Sequence, residues 1–80
     1  MNLKEIKTYH NKEKTKIFEI YFEDEKGNLQ GVSKLYDTNG KLVKLVSYVD
    51  DKRHGIAITP KYIDIYQDDE IIESFTKNEI

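Results

Sequence analysis

Glycines and tyrosines recur at fixed offsets in this 80-residue chain, and that spacing limits its folds more than any other feature. The centre reads Gly31-Val-Ser-Lys-Leu-Tyr36-Asp-Thr-Asn-Gly40-Lys-Leu42, then Tyr48, then Lys52-Arg-His-Gly55. Gly31 and Gly55 lie 24 residues apart, with the Asn39-Gly40 pair between them. Tyr9 to Tyr21 and Tyr36 to Tyr48 are each 12 residues. Asn-Gly tolerates the positive φ angles of a tight hairpin turn, so it is a strong local signal for two paired strands. Self-similarity at this scale predicts stacked β-hairpins instead of one irregular domain.

The segments between the turn signals read as strands. Lys16–Phe22 places Phe18, Ile20 and Phe22 on one face and Ile17 and Tyr21 on the other. Residues 29–37 and 41–49 flank the Asn-Gly turn. In the second of these, Leu42, Val46 and Tyr48 oppose Val43, Leu45 and Val49, so a strand apolar on both faces belongs centrally. Residues 3–10, 54–59, 61–67 and 70–75 complete the set. Charged turns separate them at 23–28, 50–53 and 68–69, and Pro60 ends a strand because it cannot donate to a ladder. Residues 77–80 are expected to fray. The expectation is an all-β chain, a single domain over 1–80, folded as a small antiparallel meander of six to seven strands.

A chain this short buries only about 60% of its unfolded surface. It has no cysteine, so neither a disulfide nor a thiolate metal site can brace it, and six Tyr, three Phe and the aliphatic residues must supply the packing. No apolar leader and no run of membrane-spanning length is present, so a cytoplasmic location without membrane contact is expected. The formal charge of −2 is unevenly placed. Asp64, Asp68, Asp69, Glu70, Glu73 and Glu79 meet only Lys77 after residue 62, while the earlier part is mildly basic. No dominant basic field exists, which argues against direct nucleic-acid binding.

Laying Tyr9 on Tyr36 sets Lys14 on Lys41 and Glu13 on Gly40; laying Tyr66 on Tyr36 sets Ile72 on Leu42. The central unit, from Gly31 through Asn39-Gly-Lys-Leu42 to Tyr48 and Lys52-Arg-His-Gly55, resembles the bacterial MORN-repeat variant. Units of that family read roughly Gly, an aromatic five residues on, Asn-Gly-Lys-Leu, Tyr, Asp-Gly-Lys and Gly. Asp51 stands where the family has its second turn glycine. The resemblance implies a small β-hairpin array acting as a binding module, with antitoxin- or immunity-type members and hence a toxin-like protein partner.

The residues themselves offer two candidate surfaces. Tyr36, Tyr48, Tyr62 and Tyr66 could pack across strands, or present an aromatic face to a protein. Asp64, Asp68, Asp69, Glu70 and Glu73 could imitate a phosphate track, as in a phage-encoded, anti-CRISPR-like inhibitor of a defence nuclease. An open strand edge could also pair two copies. His10 and His54 lack a spaced Ser, Cys or carboxylate partner set, and Asp37–Lys41 fails as a calcium loop because Lys41 and Leu42 fall at required positions. The sequence therefore reads as non-enzymatic, without cofactor or metal, acting by stoichiometric binding to a protein: a toxin in the leading version, a defence effector in the alternative.

Overall fold

The computed structural model describes residues 2–79, excluding the side chain of Glu79. Seven strands follow in chain order: β1 (Lys4–Tyr9), β2 (Ile17–Glu23), β3 (Gly31–Tyr36), β4 (Leu42–Val49), β5 (Lys52–Ile58), β6 (Tyr62–Gln67) and β7 (Glu70–Thr76). They form one antiparallel sheet whose spatial order equals the chain order, so each strand pairs only with its sequence neighbours. The expected all-β meander is what the chain forms, and β4 lies at its centre. A short 3₁₀ turn, Lys77–Glu79, follows β7 where fraying was expected; Ile80 lies outside the described residues. Among the described residues, no helix is long and apolar enough to cross a membrane.

The loops explain the register. Asp24 and Asp37 open matching five-residue loops. In each, the aspartate Oδ1 accepts two backbone amides, from Lys26 and Asn28 in one and from Asn39 and Lys41 in the other. Gly27 and Gly40 take positive φ (85° and 82°) at the fourth position. Asn11 opens a longer first loop, its Oδ1 accepting the amides of Thr15 and Lys16; there Lys14 holds the positive φ (59°), and its amide bonds back to the Asn11 carbonyl as those of Gly27 and Gly40 do to Asp24 and Asp37. The structural counterpart of Gly40 is therefore Lys14, not Glu13. The other tight turns, Asp50-Asp51 and Asp68-Asp69, have positive φ at both residues, the pattern of a two-residue I′ hairpin. That turn is shorter than expected, so β5 begins at Lys52.

Tyr9, Tyr36 and Tyr66 occupy equivalent places. Each sits at a register shift where the partner strand carries one extra residue: Phe18, Val43 or Ile72. These bulges alter the expected faces. Ile17 joins Ile20 and Phe22 instead of Tyr21, and Leu42 joins Leu45 instead of Val46. The counterparts of Leu42 are then Ile17 and Ile71, not Ile72.

The sheet measures 40 × 32 × 14 Å, one layer thick. Val46 and Ala57, cross-strand partners on β4 and β5, are its buried apolar residues at 5% exposure each. No side chain among those described is fully buried.

Candidate functional site

Alternation along each strand, carried across the sheet by the pairing register, divides the side chains into two faces. One face carries Ile6, Tyr21, Leu35, Val46, Tyr48, Ala57 and Tyr66, interleaved with Thr8, Glu19, Ser33, Arg53 and Asp64. The opposite face carries Phe22, Ile20, Val32, Leu42, Leu45, Val49, Ile56, Ile58, Ile63, Ile65 and Phe75. Of these, Val32, Leu42, Val49, Ile56 and Phe75 remain exposed to water, Ile56 to half its full extent. Among the described residues no second layer covers them.

The first face gathers three of the four tyrosines singled out by sequence: Tyr48, Tyr62 and Tyr66. Tyr36 stands on the other face, at its bulge. Arg53, which the sequence reading passed over, organises the group. Its guanidinium carbon lies 4.6 Å from the centre of the Tyr66 ring, and its Nη1 donates to the Tyr66 hydroxyl at 3.4 Å. Tyr48 is its cross-strand partner on β4. Arg53 Nε and the Arg53 amide both donate to Asp69 Oδ1, each at 2.9 Å. The side-chain bond from Arg53, with the Arg53 amide next, holds the Asp69 carboxyl below its ordinary value, and the same side-chain bond raises the Arg53 guanidinium above its own.

The acidic residues do not assemble into one track. Asp69, itself exposed, is tied to Arg53, and Asp64 accepts a hydrogen bond from Ser74 on the tyrosine face. Glu73 pairs with Ile65 on the apolar face, while Asp68 and Glu70 stand exposed at the β6–β7 turn. Among the described residues, no three His, Cys, Asp or Glu side chains converge as ion ligands.

A second network ties the loops at the same end of the sheet. Gln30, 9% exposed, donates from Nε2 to Asp24 Oδ2 (3.0 Å) and Asp50 Oδ1 (2.6 Å), and its Oε1 accepts the Asp50 amide (3.1 Å). The bond from Gln30 is the main reason the Asp24 carboxyl is depressed below 3.8, with the Asn28 amide next. Asp51 Oδ1 accepts the Leu29 amide and its own amide returns to the Leu29 carbonyl, as Asp69 does with Arg53. Each Asp-Asp turn thus clasps the neighbouring hairpin end. The repeated Asp-Asp pair was the only sequence signal for this; the partners follow from register.

At the opposite end, β2 and β3 share only a short register, Glu19–Leu35 and Ile20–Lys34. A shallow cleft opens there between the 11–16 and 37–41 loops, floored by Ile17, Ile20 and Tyr36. His10 Nε2 lies 2.9 Å from the Tyr36 carbonyl, which must accept the bond, and the imidazole leans on Phe18 at 4.8 Å. His54, on β5 where the register with β4 shifts, is exposed. No family model, curated protein or solved structure matches the chain.

Proposed function

We propose that this chain is a protein-binding module, acting by stoichiometric occupation of a partner and using the apolar face of its sheet as the contact surface. The observation that carries the reading is the uncovered face itself: exposed Val32, Leu42, Val49, Ile56 and Phe75 on rigid, hydrogen-bonded strands. An apolar patch of this extent, rimmed by charge, is the usual mark of a protein contact. The resemblance of the central unit to the MORN variant supports an antitoxin or immunity-type role, with a toxin as partner. The phosphate-mimic alternative draws less support, because Asp69 and Asp64 are engaged within the sheet and Glu73 lies on the other face.

The test is retention of a host protein by tagged wild-type chain and by two variants, with circular dichroism reporting the fold. Val49→Asp with Ile56→Asp should abolish retention, while Asp68→Lys with Glu70→Lys should leave it within a factor of about two. The opposite pattern would move the contact to the acidic turn and favour the nuclease-inhibitor reading.

A further inference from the structure

We infer that, when no other protein is bound there, the apolar face is covered by a second copy of the same chain, two sheets stacking face to face into a β-sandwich that a partner must displace. This rests on the reading of that face as a protein contact and names its occupant in the free chain.

Area makes the first argument. A compact monomer of 9.5 kDa exposes about 5,000 Å², whereas this chain exposes 5937 Å². The surplus of about 900 Å² is close to the roughly 800 Å² that each partner contributes to a standard interface. The radius of gyration agrees, at 13.8 Å against about 12 Å for a compact fold of this length.

The second argument is the missing layer. A domain needs two packed layers to enclose a core, and this one supplies a single sheet with two buried apolar side chains, Val46 and Ala57. A copy stacked about 10 Å away supplies the other layer, with the inner side chains of both sheets interdigitating. The interface is self-complementary in composition: Leu42, Leu45, Val49, Ile56, Ile63 and Ile65 form an aliphatic field over β4 to β6. Its charges are Glu5 and Lys7 on β1, Lys34 on β3 opposite Leu45, Lys52 at the start of β5 opposite Val49, and Glu70 and Glu73 on β7. All but Lys34 lie on the outer strands or at strand ends, a charged rim around an apolar field, and the long stem of Lys34 lets its ammonium reach water.

Edge pairing is the competing arrangement, and the edges oppose it. β1 presents charged Lys4, Glu5 and Lys7, and β7 is bulged at Ile72. Charge and bulges are the features by which sheet edges resist another strand.

Sedimentation equilibrium and thermal melts across about 1–200 µM protein test the inference, since a dimer melts at a temperature that rises with concentration. Ile56 and Tyr62 are about equally exposed, 50% and 46%, but on opposite faces, which makes them a matched pair. Ile56→Glu should weaken dimerisation by more than about a hundredfold, with Tyr62→Glu within about threefold of wild type. If Ile56→Glu simply unfolds, the milder Ile56→Thr takes its place, and a dimer no weaker than that of Tyr62→Thr overturns the inference. A wild-type monomer at the top concentration overturns the inference while leaving the binding-module reading to its own retention test. A dimer that survives Ile56→Glu but is lost on Ser74→Pro would place the contact at the β7 edge and overturn it as well. Equal loss of dimer in Ile56→Glu and Tyr62→Glu overturns it too.

Discussion

Arg53 and Asp69 hold each other through side chain and backbone together: one carboxylate oxygen takes both the Arg53 amide and its guanidinium Nε, each at 2.9 Å. In the other direction the Asp69 amide donates to the Arg53 carbonyl at 2.9 Å. The β6–β7 turn is thereby fastened to β5, a strand it does not otherwise pair with.

Acid should loosen this end of the sheet. The Asp69 carboxyl is depressed by its bonds from Arg53, and that of Asp24 by its bond from Gln30. A depressed carboxylate stabilises the fold above its unfolded value and loses that contribution as pH falls through the folded value. Stability should therefore decline progressively below about pH 4, where these carboxylates take up protons. Asp69→Asn keeps the positive-φ turn but cannot titrate, so its melting temperature should change less with acid than the wild-type value does. An unchanged slope between about pH 5 and about pH 2 would remove Asp69 from the acid response.

Lys14 occupies a glycine's backbone position. At φ 59° it bears a left-handed strain that Gly27 and Gly40 avoid in the matching loops. Lys14→Gly should stabilise the fold by about 0.5–1 kcal/mol, and Gly40→Ala should cost about 1 kcal/mol, both read by urea denaturation. No atom lies within 4 Å of a Cβ built on Gly40, so the cost there is conformational, not steric.

Gln30 bridges two loops separated by about a strand pair of sequence. Gln30→Ala would strip hydrogen bonds from Asp24 and Asp50 and should destabilise by about 1–3 kcal/mol. Hydrogen exchange should quicken first at the Asp50 amide, which donates to Gln30 Oε1, and stay slow at Val46.

Val46→Ala removes methyl groups from the most enclosed place in the sheet. It should cost about 1–2 kcal/mol, against less than about 0.5 kcal/mol for Lys44→Ala, its exposed neighbour on the same face. Equal costs would mean that the Val46–Ala57 contact is not the centre of packing.

Strand number, order and most turns were legible because each turn carries a local chemical signature: Asn39-Gly40, Asp24 ahead of Gly27, the two Asp-Asp pairs. Faces were legible only between bulges. Strict alternation put Ile17 with Tyr21 and Leu42 with Val46, and a single extra residue at Phe18 and Val43 reversed both. The tyrosine overlay was sound at Tyr9, Tyr36 and Tyr66 and drifted beyond them, since the first loop carries additional residues between Tyr9 and Ile17. The Gln30 bridge and the Arg53 cluster were out of reach, because they join residues whose adjacency exists only once the register is set. The open apolar face was latent in Ile56, Ile58, Ile63 and Ile65, but its lack of cover is a property of the whole sheet.

Strand order that follows chain order has a kinetic meaning. Every ladder here closes across a short connection, so forming the sheet demands no distant encounter within the chain, and folding should proceed as a zipper from hairpin to hairpin without the delay usual for β proteins.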